Sequence, residues 1–432
     1  MRRAICNFLS HSSQNYIIMK YINQKSILLF AAAVLLICTR CSKNPDENLP
    51  TEPVKINLDA VQTALVGSGN SFAFDIFRKV IENPDNAGNV MISPLSISYA
   101  LSMTLNGAKG ATRDSMLKAL RVTGITPDEI NNSYKDLTDA LLTIDKRVLI
   151  SIANSVWTEN DFPVKKSFID ILTSYYDAQS MQFDIADQTV PAKMNSWISD
   201  KTNGLIKNMV DKLQDNTVMM LINAIYFKGK WKSEFDKDNT VTTSFYKPDG
   251  TVSVPMMKQE SEYKVYDGDG FVLGEFPYGQ GNFVMDIILP DAQNGTDAIL
   301  SSITVASFAS WLNNLSDHKV NLSLPRFKYG FKLPLKNVLT DMGMGIAFAD
   351  GADFTNIADA SLLINEAKHQ TFIETNEEGT EAAAVTIIGI GTTSVGPDPL
   401  TFNADHSFLY IIRETTTNTI LFMGRVTDPS AS

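Results

Sequence analysis

The chain has 432 residues, 44% of them hydrophobic and 20% charged, with 48 acidic against 37 basic side chains and a net charge of −11. Such a length supports a substantial core, and the apolar and aromatic content excludes a disordered or low-complexity chain. The acidic balance excludes a nucleic-acid binder, whose partner demands a basic face.

Targeting comes first along the chain. Ile27 to Cys38 is an unbroken apolar run of twelve, too short to span a bilayer and the right length for the core of a signal peptide. Lys20 and Lys25 supply its positive flank, and Met19 opens a more ordinary signal than Met1 does. Cys41 then precedes the polar stretch Ser42-Lys43-Asn44-Pro45-Asp46-Glu47, which resembles a bacterial lipoprotein acylated at that cysteine. Arg40 departs from that pattern, which favours a small residue before the cysteine. The reading is a signal over residues 1–41, a tether over 42–60 and one domain over 61–432. It implies an exported envelope lipoprotein, anchored at the outer membrane or cell surface, or otherwise secreted. Cys38 and Cys41 are formally spaced C-x-x-C, but inside a signal that spacing carries no redox role.

Beyond the tether the periodicities are mixed. Ser71 to Ile81 and Ser93 to Leu105 carry helical spacing, and Ser93-Pro94 is a good start, with a capping hydroxyl and proline in the first turn. Pro191 to Leu213 also predicts helix, interrupted at Gly204. Val148 to Trp157, Val218 to Phe227, Phe271 to Pro277, Phe283 to Leu289, Val320 to Leu324 and Phe408 to Ile412 are rich in β-branched and aromatic residues and predict strands. Helices dominate the first third and strands the rest, so the fold class is α+β with large antiparallel or mixed sheets.

Catalytic chemistry is scarce. All three cysteines precede residue 42 and there are only four histidines, so the body of the chain lacks a thiolate nucleophile and any Cys-based metal site. Nucleophile-elbow, zinc-helix and phosphate-loop motifs are missing, and no cofactor is implied. Asp267-Gly268-Asp269-Gly270 lacks the ligand ladder of a calcium loop and reads as a hairpin turn. The expectation is a protein that is not an enzyme.

The segment from Ile373 differs in kind. Thr380, Ala382, Ala384 and Thr386 alternate onto one strand face, and all four are small. Such a strand can slip between two others without displacing core atoms, and Gly379 supplies a pivot at its base. On composition alone a small-residue helix or a linker competes, because Glu381-Ala382-Ala383-Ala384 is good helix material.

The stretch Glu377-Glu378-Gly379-Thr380-Glu381-Ala382-Ala383-Ala384 resembles the hinge of the reactive-centre loop of serpins. Asn89 to Ile97, Gly107 to Thr112, Ala153 to Trp157, Asn223-Ala224-Ile225-Tyr226-Phe227-Lys228-Gly229-Lys230-Trp231 and Ile420 to Val426 resemble further motifs of that family in family order, from about residue 61 to 429. The resemblance implies a single domain with about eight or nine helices and an exposed loop at about 377–402. It makes Glu377, Gly379, Thr380, Ala382, Ala384 and Thr386 the hinge, and Ser93, Asn223 and His369 the polar shutter beneath the main sheet. Trp231 falls at the breach, where the loop first enters. Asp405-His406-Ser407-Phe408 departs from the family by carrying Ser407 where proline is usual.

By the same resemblance the protein is a suicide substrate that traps a protease as its acyl-enzyme, with the scissile bond at Thr393-Ser394 within two residues. A non-inhibitory serpin acting as a carrier is the alternative. No Lys or Arg occurs from Ile387 to Phe402, so the target expected is an elastase-like or subtilisin-like serine protease, or a papain-like cysteine protease. The protein is expected to be a monomer that touches membrane only through its lipid anchor.

Overall fold

The structure is a computed structural model that describes residues 52–293, 295–380 and 398–431. The predicted helices form, with local chemistry setting their ends. Helix α1 (Ala60–Ile81) starts at a capping box in which Asp59 and Gln62 satisfy each other's backbone N–H. Helix α2 (Pro94–Leu105) is capped by the Ser93 hydroxyl with proline at its first position. Then come α3 (Gly110–Ala119), α4 (Pro127–Thr143), α5 (Lys166–Tyr176) and α6 (Val190–Lys201). Helices α7 (Thr296–Ser302), α8 (Val305–Asn313) and α9 (Leu335–Leu339) complete nine among the described residues.

One prediction is corrected here, because the helix expected through Leu213 stops at Lys201. Asn203 and Gly204 take positive φ, which turns the chain. The following segment runs back along α6, where the Asn195 carbonyl accepts from the N–H groups of Met209 and Val210, both at 2.9 Å, and its amide donates to Val210 at 2.6 Å. A polar residue reserved for that return explains why the apolar period continued while the helix did not.

In chain order the strands are β1 (Val90–Ile92), β2 (Val148–Glu159), β3 (Gln179–Phe183), β4 (Met219–Lys230), β5 (Val241–Lys247), β6 (Gly250–Asp267), β7 (Phe271–Tyr278) and β8 (Phe283–Pro290). They continue with β9 (Ser316–Pro325), β10 (Phe327–Pro334), β11 (Lys368–Asn376), β12 (Gly379–Thr380), β13 (Leu400–Asn403), β14 (Phe408–Glu414) and β15 (Ile420–Val426). As predicted, Asp267 to Gly270 is the hairpin turn between β6 and β7.

Two sheets result. One runs β10-β11-β12-β4-β2-β3; the other runs β1-β15-β14-β8-β7-β6-β9-β13, with β5 paired to β6. Pairing is antiparallel except for β2 with β3 and β9 with β13, so the architecture is α+β with mixed sheets. The central strands β8, β14 and β15 are buried along their whole length, which is why they read as continuous apolar runs. Arg413 is an exception inside that layer, bonded to Asp286 at 2.6 Å and paired with Glu275.

The described residues from Glu52 onward form one compact unit. Of the expected tether, Val54 exchanges two hydrogen bonds with the Asn282 side chain (2.9 and 2.7 Å), and Ile56 is buried with its N–H on Thr416 Oγ1 at 3.0 Å. No described helix is long and apolar enough to cross a membrane.

Candidate functional site

The candidate site is the seam between β4 and β11, and its upper end is built around a glycine. After β11 the chain turns through Glu377 and Glu378 and comes back as the two-residue strand β12. Thr380 pairs with Thr375 on one side and Gly229 on the other, and Gly379 pairs with Asn376 and Lys230. Gly379 has φ +143°, and a Cβ there would lie 2.1 Å from the Gly229 carbonyl oxygen and 2.7 Å from the Lys230 Cα. No other residue fits that backbone.

Main chain and aromatics hold the turn from below. The N–H groups of Trp231 and Phe235 donate to the Glu378 and Glu377 carbonyls at 3.0 and 2.9 Å, and the Trp231 indole donates to Asn376 O at 2.9 Å. The indole lies flat on Tyr278, with ring centroids 4.4 Å apart and planes at 10°. Tyr278 comes from the other sheet, and its hydroxyl is 2.7 Å from Thr380 Oγ1. Thr380 is therefore buried in the intact chain.

Charges hold the turn from the flank. Arg326 Nε (2.7 Å) and Thr240 Oγ1 (2.5 Å) donate to the Glu377 carboxylate, and Lys237 reaches Glu378 at 2.5 Å. Burial works against ionisation of Glu377, but the bonds from Arg326 and Thr240 outweigh it and hold the carboxyl below its ordinary range.

A polar network lies lower in the same sheet. His369 Nε2 accepts the Ser93 backbone N–H at 2.9 Å, and Ser93 Oγ donates to Leu421 O at 2.7 Å. Across the seam Ser96 donates to Asn223 Oδ1, Asn223 Nδ2 donates to Asn154 Oδ1 at 2.6 Å, and Asn154 donates to Tyr176 O at 2.7 Å. Ser93 and Ser96 are themselves linked, since the Ser96 N–H caps on Ser93 Oγ at 3.2 Å. His369 and Asn223 thus meet on the first turn of α2 rather than on each other. Burial pushes His369 down to about 3, so its ring is neutral and free to accept the Ser93 N–H.

The seam itself is narrow in backbone contact. In the order of the sheet β4 and β11 are joined through β12. Below Thr380 a slot is lined by Ile225, Phe227, Thr371 and Ile373. Lower still, a cavity of about 430 Å³ is lined by Leu101, Met219, Leu221, Leu362 and Ile364. The inward residues of β11 are His369, Thr371, Ile373 and Thr375, all buried on one face.

Of the residues singled out in sequence, Glu377, Gly379, Thr380 and Trp231 converge at the top of the seam, and Ser93, Asn223 and His369 below it. Ala382, Ala384, Thr386, Thr393, Ser394 and Cys41 lie outside the described residues. Sequence reasoning gave no role to Asn154, Ser96, Tyr278 or Arg326. Asn154 was within reach, being a polar residue in the strand Val148–Glu159 and inside a quoted motif; Tyr278 and Arg326 had no local signal. Among the described residues no cluster of three or more His, Cys, Asp or Glu could hold a metal.

Comparison with known proteins places this geometry. The family described as Serpin (serine protease inhibitor) matches residues 68–429. An uncharacterized serpin-like protein of Thermococcus kodakarensis is 32% identical over 392 residues, covering 88% of this chain and 89% of its own. The native structure of the thermophilic serpin tengpin superposes with a TM-score of 0.78 at 29% identity, over 88% of this chain and 97% of that one. Human thyroxine-binding globulin, solved with its ligand, gives a TM-score of 0.79 at 26% identity, over 86% and 100%.

Proposed function

The chain belongs to the serpin family, whose members are mostly protease inhibitors or binding proteins rather than catalysts, and from that premise we propose that it is an inhibitor acting as a suicide substrate. One observation carries the reading: Gly379 and Thr380 already sit as a strand between β4 and β11, above a seam lined by apolar and small polar side chains. The residues that follow on the same face, Ala382, Ala384 and Thr386, are small enough to continue into that seam.

The attacking serine oxygen of a protease bonds to the carbonyl carbon of Thr393, the proton passes through the protease's base to the Ser394 nitrogen, and the peptide bond breaks. Freed at that end, the hinge zips into the seam as a new strand. About fourteen residues at roughly 3.3 Å each carry the esterified protease about 45 Å before water reaches the ester. New ladder bonds and burial drive the step, and the neutral His369 and the Ser93–Asn223 network are the groups that must part.

The targets proposed are elastase-like or subtilisin-like serine proteases, because the loop presents no cation to a trypsin-like pocket. The protein is proposed to be exported as a lipoprotein acylated at Cys41. Labelling with a clickable fatty acid checks this, and unchanged labelling of Cys41→Ala removes the anchor from the reading.

A panel of elastase-like, subtilisin-like, trypsin-like and papain-like enzymes tests the mechanism. The expected result is a complex that survives a denaturing gel and a released fragment beginning within two residues of Ser394. Cleavage that maps before Thr386 with no complex would overturn it, and the family's carrier function, exemplified by the thyroxine-bound relative, would take its place.

A further inference from the structure

Tyr278 is an unusual partner for a hinge, because it belongs to β7 of the other sheet. Its ring is held on three sides. Trp231 stacks on one face, Phe227 meets the ring edge-on at 5.2 Å and 70°, and Gly229 leaves the space above it. A Cβ on Gly229 would lie 2.9 Å from Tyr278 Cδ1, so the glycine in Phe227-Lys228-Gly229-Lys230 makes room for the ring. Two backbone bonds pin the strand end as well, Lys232 N–H to Pro277 O and Gly279 N–H to Lys230 O, both 2.8 Å. Tyr278 is fully buried. Its hydroxyl therefore points one way, and what it meets there is Thr380 Oγ1 at 2.7 Å.

We propose that Tyr278 is a positioning residue that seats Thr380 in the six-stranded sheet before any cleavage, and so sets how readily the hinge starts to insert. This rests on the insertion mechanism proposed above. The physical reason is preorganisation: a ring that cannot rotate away offers the first inserting side chain a buried hydrogen-bond partner in place of water. A hydroxyl lost from either partner leaves the other buried and unpaired, whereas loss of both leaves two apolar surfaces in contact. The pair is thus predicted to be strongly non-additive.

The test is amide hydrogen exchange on the intact full chain with Tyr278→Phe, Thr380→Val and the double variant. Each single change is expected to speed exchange of the Thr380 and Trp231 amides by about tenfold, while β14 and β15 exchange as in the parent. The double variant is expected to return to within about threefold of the parent, because no unpaired hydroxyl remains. A ring that merely fills space would give no effect in Tyr278→Phe, and single changes that exchange like the parent overturn the proposal. So does a double variant that opens by the product of the two singles. Exchange needs no protease, so the two readings fail separately. If the pattern appears but the parent traps none of the panel, inhibition is lost and the seat stands. If the parent traps a protease and the exchange pattern is missing, the seat is lost and inhibition stands.

Discussion

At the scale of single residues, Gly379 is the position with least freedom. Its positive φ and the 2.1 Å approach to Gly229 O leave no room for a side chain. Gly379→Ala is expected to unseat β12 while leaving the rest of the fold to melt as in the parent. Amide exchange over residues 374–380 and the yield of covalent protease complex measure it; an unchanged yield would mean that seating is dispensable. His369 makes a different prediction, about pH. Its folded value, depressed to about 3 by burial, lies below the unfolded value of 6.5. At neutral pH both states are unprotonated and nothing is lost. As pH falls through 6.5 towards 3 the unfolded chain takes up a proton that the folded chain refuses, so stability declines by about 1.4 kcal/mol per pH unit. Asp286 acts with the opposite sign, since burial raises it to about 6 and favours the folded chain on acidification. The slope of urea stability between pH 6.5 and 4 in parent and His369→Gln separates the two, and the variant is expected to lose the decline that His369 causes.

At the scale of elements, the hinge strand β12 has only two residues, yet it carries the ladder between β4 and β11. Its stability comes from what surrounds it: backbone bonds to both neighbours, the Glu377–Arg326 and Glu378–Lys237 pairs, and the Tyr278 hydroxyl. Thr380→Arg places a guanidinium where the threonine hydroxyl is now buried, and an unpaired charge there costs several kcal/mol. Attack on the proposed Thr393–Ser394 bond is expected to continue, while insertion is slowed. The variant is expected to be cut as an ordinary substrate, with the stoichiometry of inhibition rising steeply and the covalent band lost on a denaturing gel. Retention of full inhibition would show that the loop works without entering this seam.

At the scale of the whole molecule, among the described residues β4 and β11 are bridged only by the two residues of β12, and a cleft of about 430 Å³ opens lower in a sheet whose other strands pair along long ladders. A strand inserted there would add ladder bonds to both neighbours and take apolar lining out of water, which is a large gain. Cleavage near Thr393 is expected to raise the thermal midpoint by tens of degrees, since a fourteen-residue strand adds bonds to both neighbours. A differential scan before and after limited proteolysis checks this. An unchanged midpoint would place the intact chain already in its most stable form and remove the driving force from the mechanism.

Much of this was readable from residue order. Apolar period and β-branched runs located the main strands and α2, and Ser93-Pro94 predicted its start, because caps and pleats are local. The small alternating residues from Thr380 fit an inserting strand, but composition alone left a small-residue helix or linker in competition, and those beyond Thr380 lie outside the described residues; the motif Asn223 to Trp231 pointed to the family. Local order marked the break at Gly204 but could not show that the chain beyond it is not helix, since there Asn195 holds a segment that returns from fourteen residues away. Nor could it show that Thr380 is seated in the intact chain, or that Tyr278 seats it. Those two residues are 102 positions apart and belong to different sheets. Their meeting depends on how the sheets stack, and that is decided by packing of the entire core, which no window of sequence contains.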